Sequence, residues 1–245
     1  MVPVLRNIVK KVLAILVLSA ILLAMAGCEY KKGRLGNVLV IGDSYSTYEG
    51  HIPDGYLSWY PAGANETAVD DVSYTWWHRL ITETGSELIR NSSWSGSTIS
   101  NTGYNGADYT DFSFVTRTRA LVDSGFFSKN RIDTVIIYGG LNDAWVPAPL
   151  GEVMLDEEIS GEDLYSTLPA MCEIFRLIYS ASPKSDVIVV VDSQLPDGMK
   201  AGFLEIADHY GALLIQLRPV ELDVGHPTKD GMEDIKTQII TALEE

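Results

Sequence analysis

Residues 38–44 read Val-Leu-Val-Ile-Gly-Asp-Ser. Four apolar residues in succession, three of them β-branched, describe a strand covered on both faces, as in a parallel sheet. Gly42 ends the run, and Asp43-Ser44 follow where open α/β sheets place their ligands, beyond the carboxyl ends of the strands. The same grammar recurs down the chain. Glu87 to Asn91 reads as a second strand, and Thr134 to Tyr138 as a third, closed by Gly139-Gly140. Val187 to Val191 is the fourth and most β-branched, and Leu213 to Ile215 the fifth.

Helical patterns stand between these strands. Thr75 to Thr84 is stopped by Gly85, and Met199 to Tyr210 forms another. Leu164, Leu168, Met171, Phe175 and Ile178 recur at helical spacing and make one apolar face. Met232, Ile235, Ile239 and Leu243 stripe the last helix, with Asp230 and Glu233 placed for a capping box. Alternation of this kind predicts an α/β protein whose sheet, parallel and about five-stranded, is covered on both faces. No repeat, low-complexity tract or Pro/Gly-rich linker interrupts 37–245, which reads as one domain.

The chain has 245 residues, with 33 acids against 18 Lys and Arg, a net charge of −15. A pI near 4.6 excludes a nucleic-acid partner, because phosphate binding needs a basic face. Two cysteines build neither a disulfide framework nor a cysteine-rich zinc site. Cys172 lies in an apolar helical pattern and reads as a small core residue.

The first residues follow a different logic. Arg6, Lys10 and Lys11 precede an almost wholly apolar run from Val12 to Leu23, then Ala-Met-Ala-Gly-Cys at 24–28. A basic start, an apolar centre and small residues at the end are the parts of an export signal. The uncharged stretch to Gly27 is shorter than the ~20 residues of a spanning helix. The segment resembles a bacterial lipoprotein signal, with Met25 where that pattern usually carries leucine. The resemblance implies cleavage after residue 27, a diacylglyceryl thioether on Cys28 and attachment outside the cytoplasm. Residues 28–36 would then be a tether carrying Lys31, Lys32 and Arg34. The body from Asn37 carries 32 acids and 12 bases, so anionic lipid repels it and the membrane is met through the anchor alone.

Polar motifs follow the strands: Gly42-Asp43-Ser44, then Asn91-Ser-Ser-Trp-Ser-Gly96, then Gly140-Leu-Asn142-Asp143. Asp223-Val-Gly-His226-Pro227 precedes the last helix. In this order the four blocks resemble the SGNH (GDSL-type) hydrolases over the whole of 37–245. The resemblance implies a flavodoxin-like three-layer α/β/α fold and ester hydrolysis with no cofactor and no metal. It assigns Ser44 as nucleophile, His226 as base and Asp223 as the acid behind it. The backbone N–H groups of Ser44 and Gly96 and the amide of Asn142 become the oxyanion donors.

The residue types suit that chemistry. A serine hydroxyl is a weak nucleophile until a neighbouring base takes its proton. A carboxylate behind the imidazole fixes its tautomer and stabilises the imidazolium. Uncharged, preorganised donors meet the charge that grows on the attacked carbonyl. Asp43 and Asp143 are expected to make structural hydrogen bonds around the site, and His51, His78 and His209 to have no part in it. Aromatic residues crowd the loops: Tyr45, Tyr48, Tyr56, Trp59, Tyr60, Trp94, Tyr104, Tyr109 and Trp145. They are expected to rim the site and suit a small-molecule or polysaccharide acyl ester, most simply an acetylated sugar. Trp76 and Trp77 lie on a helix and read as core. Longer acyl chains, or a glycan-binding protein without turnover, are the alternatives.

Overall fold

A computed structural model describes residues 35–61 and 69–245. Residues 1–34, on which the expected export signal, the lipidation of Cys28 and most of the expected tether fall, lie outside the described residues. Among the described residues no helix is long and apolar enough to cross a membrane.

Strand β1 (Asn37–Gly42) is buried from Val38 onward, as its unbroken apolar run requires. It pairs in parallel with β2 (Glu87–Ser93) on one side and β3 (Thr134–Tyr138) on the other. Strands β4 (Asp186–Val191) and β5 (Leu213–Gln216) complete a parallel sheet in the order β2-β1-β3-β4-β5. That is the flavodoxin-like order, whose ligand crevice opens between the ends of β1 and β3. The register aligns those ends, since Gly42 stands opposite both Ser93 and Tyr138. The segments that follow β1, β2 and β3 therefore emerge side by side.

The helices, in chain order, are α1 (Trp76–Thr84), α2 (Phe114–Asp123), α3 (Phe126–Lys129), α4 (Leu141–Trp145), α5 (Thr167–Ala181), α6 (Asp197–Tyr210) and α7 (Lys229–Glu244). Helix α1 packs on α7, while α2 packs on α5 and α5 on α6, which covers the two faces of the sheet. Trp76, Trp77 and Cys172 are buried, as expected of core residues. The threonine at 75 caps α1 by accepting from the His78 N–H, and Gly85 closes it.

Three segments differ from what their sequence suggests. Leu164 does not belong to α5; it sits in a 3-10 turn over Asp163–Tyr165, and extended Ser166 separates the two. Pro169, in the first turn of α5, is at home there because the early N–H groups lack helical partners anyway. Asp230 and Glu233 form no capping box. Thr228 caps α7 by accepting from the Gly231 N–H, and Glu233 binds Arg79 and Lys236 instead. Helix α2 escaped the pattern because its buried face includes Arg117 and Thr118, which break the apolar stripe.

Candidate active site

Ser44 opens a 3-10 turn directly after β1. Asp43 caps that turn, its carboxylate accepting from the Tyr45 N–H at 3.1 Å and its carbonyl from the Ser46 N–H. Burial pushes the Asp43 carboxyl up from the usual 3.8 to about 7, against the opposing pull of the Tyr45 N–H. Asp143, on α4, accepts from the N–H groups of Ile99 and Ser100 and from the hydroxyls of Ser100 and Thr167. Burial again dominates and lifts its carboxyl to about 6. Both aspartates thus hold loops in place, as the sequence suggested.

His226 arrives from the far end of the chain. Strands β6 (Leu222–Asp223) and β7 (His226–Pro227) form a two-residue hairpin with Val224 and Gly225 at its tip. Both tip residues have positive φ, 47° and 76°, the backbone of a type I′ turn. The turn brings His226 Nε2 to 2.9 Å from Ser44 Oγ across 182 residues of sequence. Nδ1 lies 3.2 Å from the Val224 carbonyl. A carbonyl can only accept, so Nδ1 carries the proton and Nε2 is left to accept from the Ser44 hydroxyl. That is the tautomer a general base requires. Burial lowers the imidazole below its ordinary value and the Val224 carbonyl partly restores it.

Asp223 stands differently from the expectation. It is the cross-strand backbone partner of His226, and its carboxylate makes no hydrogen bond with the ring. Each ring nitrogen is already engaged, one by Ser44 and the other by Val224, so the tight turn supplies the backbone carbonyl where a triad would place a carboxylate.

Asn142, on α4 after β3, has its amide held from both sides. Nδ2 donates to the Ser97 carbonyl at 3.0 Å, and the Tyr104 hydroxyl donates to Oδ1 at 2.8 Å. This assigns the amide orientation and leaves one N–H uncommitted among the described residues. The backbone N–H groups of Ser44 and Gly96 are likewise uncommitted there. Gly96 has φ +80°, and a Cβ added to it would meet nothing within 4 Å. Backbone conformation, in open space, is what reserves this position for glycine.

Residues that sequence reading missed tie these blocks together. Arg117 is buried, with its guanidinium donating to the Gly42 carbonyl at 3.1 Å, to the Ser97 hydroxyl at 3.0 Å and to the Ser92 carbonyl. It thereby clamps the ends of β1 and β2 to the loop that carries Gly96. Burial lowers it to about 10, with Tyr56 and Asp43 opposing, so it stays a cation near neutral pH. A lone arginine in a helical pattern gives no signal of that role. The aromatic residues also differ from expectation: Tyr45, Tyr48 and Tyr60 are buried rather than on the rim. Trp94 packs between Tyr56 and Phe112. Tyr104, 38% exposed, and Trp145, 45% exposed, do face solvent. Among the described residues no group of His, Cys, Asp and Glu is placed to hold a metal ion.

Comparison with known proteins gives the family and the fold. Residues 36–243 match the model of the GDSL-like lipase/acylhydrolase family. A candidate GDSL-like lipase from Bacteroides uniformis is 38% identical, with a TM-score of 0.76, over 83% of this chain and 93% of its own. A candidate GDSL-like lipase from Bacteroides ovatus is 36% identical, with a TM-score of 0.77, over 84% and 97%. A family two carbohydrate esterase from Clostridium thermocellum, solved with cellohexaose, shares the fold at 14% identity and a TM-score of 0.56, over 84% of this chain and 62% of its own. No curated protein matches the chain in sequence. With the four polar blocks gathered at the carboxyl ends of a flavodoxin-like sheet, and with a family match spanning nearly all the described residues, this chain belongs to the GDSL-like lipase/acylhydrolase family of SGNH hydrolases.

Proposed function

We propose that the protein is a serine esterase that removes short acyl groups, most simply acetyl, from a carbohydrate. The observation that carries the chemistry is the 2.9 Å contact between His226 Nε2 and Ser44 Oγ, with the tautomer set by the Val224 carbonyl. His226 takes the Ser44 proton as Oγ attacks the ester carbonyl. The N–H groups of Ser44, Gly96 and Asn142 receive the developing oxyanion. The imidazolium then protonates the leaving alcohol, and water repeats the sequence in reverse to release the acid. No step calls for a cofactor or metal.

One observation favours a sugar on the alcohol side. Tyr104 and Trp145, the exposed aromatic residues of the site, flank Asn142: one bonds its amide and the other lies on the same short helix. Aromatic faces of this kind pack against pyranose rings. The fold likeness to a carbohydrate esterase is compatible with this choice without deciding it. Initial rates on p-nitrophenyl acetate, butyrate and octanoate test the reading, with Ser44→Ala as control. Rates should fall steeply with chain length and vanish in the variant. A preference for octanoate would replace it with a lipase acting on longer chains, for which exposed Leu57 supplies an apolar surface.

We also propose that Cys28 is lipidated and anchors the enzyme to a bacterial cell membrane, outside the cytoplasm. The support is the basic, apolar and small-residue order of 1–28. Cys28→Ser should move the protein from the membrane to the soluble fraction, and retention on the membrane would point to an uncleaved anchor.

A further inference from the structure

His226 is held by more than its two hydrogen bonds. The Trp59 indole lies flat against the imidazole, with ring centroids 3.6 Å apart and planes 9° from parallel. Tyr45 and Tyr60 meet the ring edgewise at 5.3 and 6.5 Å. Their hydroxyls donate to the carbonyls of Gly225 and Pro227, the residues on either side of the histidine, at 2.7 and 2.8 Å. Trp59 is also hung from the nucleophile turn: its N–H donates to the Thr47 hydroxyl, which donates to the Ser44 carbonyl. One residue thus spans both members of the reacting pair. Its indole N–H is buried and meets no partner among the described residues. The backbone bond to Thr47 holds the residue in place, and the flat contact with the imidazole is the interaction its ring makes with the site.

Resting on the esterase reading, we propose that Trp59 is a positioning residue for His226, its π face fixing the imidazole plane and stabilising the imidazolium that forms when Ser44 attacks. An indole face within about 6 Å of a cation attracts it, most strongly where water is excluded. The titratable groups around the ring leave this role open. Ser44 is the reaction partner, and burial raises the phenols of Tyr45 and Tyr60 far above neutral pH. Asp223, across the hairpin, makes no bond to the ring. Val224 contributes only a carbonyl dipole.

The test replaces Trp59 by tryptophans carrying increasing numbers of ring fluorines, which withdraw π density at nearly constant shape. Two readouts are taken: the acid limb of the kcat/KM profile, and the His226 titration followed by NMR in the Ser44→Ala protein. Both midpoints should move stepwise to lower pH, by up to about one unit, with a fall in plateau rate of at most about tenfold. Trp59→Leu should reach the same end point and Trp59→Phe should recover part of it. Midpoints that stay fixed, or that rise as water reaches the ring, would overturn the proposal and leave Trp59 as packing. The NMR titration does not need turnover, so it judges Trp59 even if the esterase reading fails.

Discussion

Truncating Asn142 to alanine separates catalysis from packing. The side chain is 2% exposed, donates to the Ser97 carbonyl at 3.0 Å and accepts from Tyr104 at 2.8 Å. Its remaining N–H is the proposed oxyanion donor, and removing one such donor costs about 3–4 kcal/mol, or roughly 10²–10³ in kcat. Alanine also leaves the Ser97 carbonyl without its donor, a further loss of about 1–3 kcal/mol in folding stability. Tyr104 is partly exposed and can turn to water, so it adds little. Asn142→Asp sharpens the test. It keeps the Tyr104 bond but sets a carboxylate against the Ser97 carbonyl and replaces the donor with negative charge. The aspartate variant should therefore be slower than the alanine variant, with KM changed little in either. Stopped-flow acylation with a p-nitrophenyl ester reads the chemical step, and urea denaturation reads stability. An alanine variant within threefold of the parent kcat, or an aspartate variant that outperforms it, would refute the oxyanion role.

Three further outcomes follow from the same geometry. The Asp43 carboxyl is raised from 3.8 to about 7, so between those values the folded chain binds more protons than the unfolded one and stability falls as pH rises. Asp43→Asn should flatten that decline, of the order of a few kcal/mol, in denaturation curves from pH 5 to 8; an unchanged slope would remove Asp43 as its cause. Because the Asp223 carboxylate takes no bond from the ring, Asp223→Asn should lower kcat by less than about tenfold, whereas a triad acid is worth about 10⁴. A loss on that larger scale would show the carboxylate reaching Nδ1 during turnover. Val224 is 66% exposed and β-branched, yet has φ 47°. Val224→Asn tolerates that region and keeps the carbonyl, so it should raise stability by about 1 kcal/mol without loss of rate, as read by thermal melting beside initial rates.

Much of this was legible in the sequence because buried parallel strands and strand-end motifs are local signals. The Val38–Ile41 run, the strand at 134–138 and the polar blocks after them needed no tertiary information. The pairing of Ser44 with His226 was legible only through the order of those blocks, since 182 residues separate the partners. What stayed hidden depends on contacts between distant segments. Arg117 looks like any helical arginine until the ends of β1 and β2 and the Gly96 loop converge on its guanidinium. The partner of His226 Nδ1 is set by a two-residue turn, whose backbone angles a side-chain pattern does not encode. Tyr45 and Tyr60 read as surface aromatics because their loops are polar, yet their rings pack inward and their hydroxyls find carbonyls beside the histidine.

The central claim is that Ser44, activated by His226, is the nucleophile. A fluorophosphonate ester that mimics the tetrahedral intermediate, followed by peptide mapping, tests it most directly. One label per chain should form, on Ser44, in parallel with loss of esterase activity, and at least a hundredfold more slowly in His226→Ala. A label on another serine, or an active enzyme that takes up none, would contradict it.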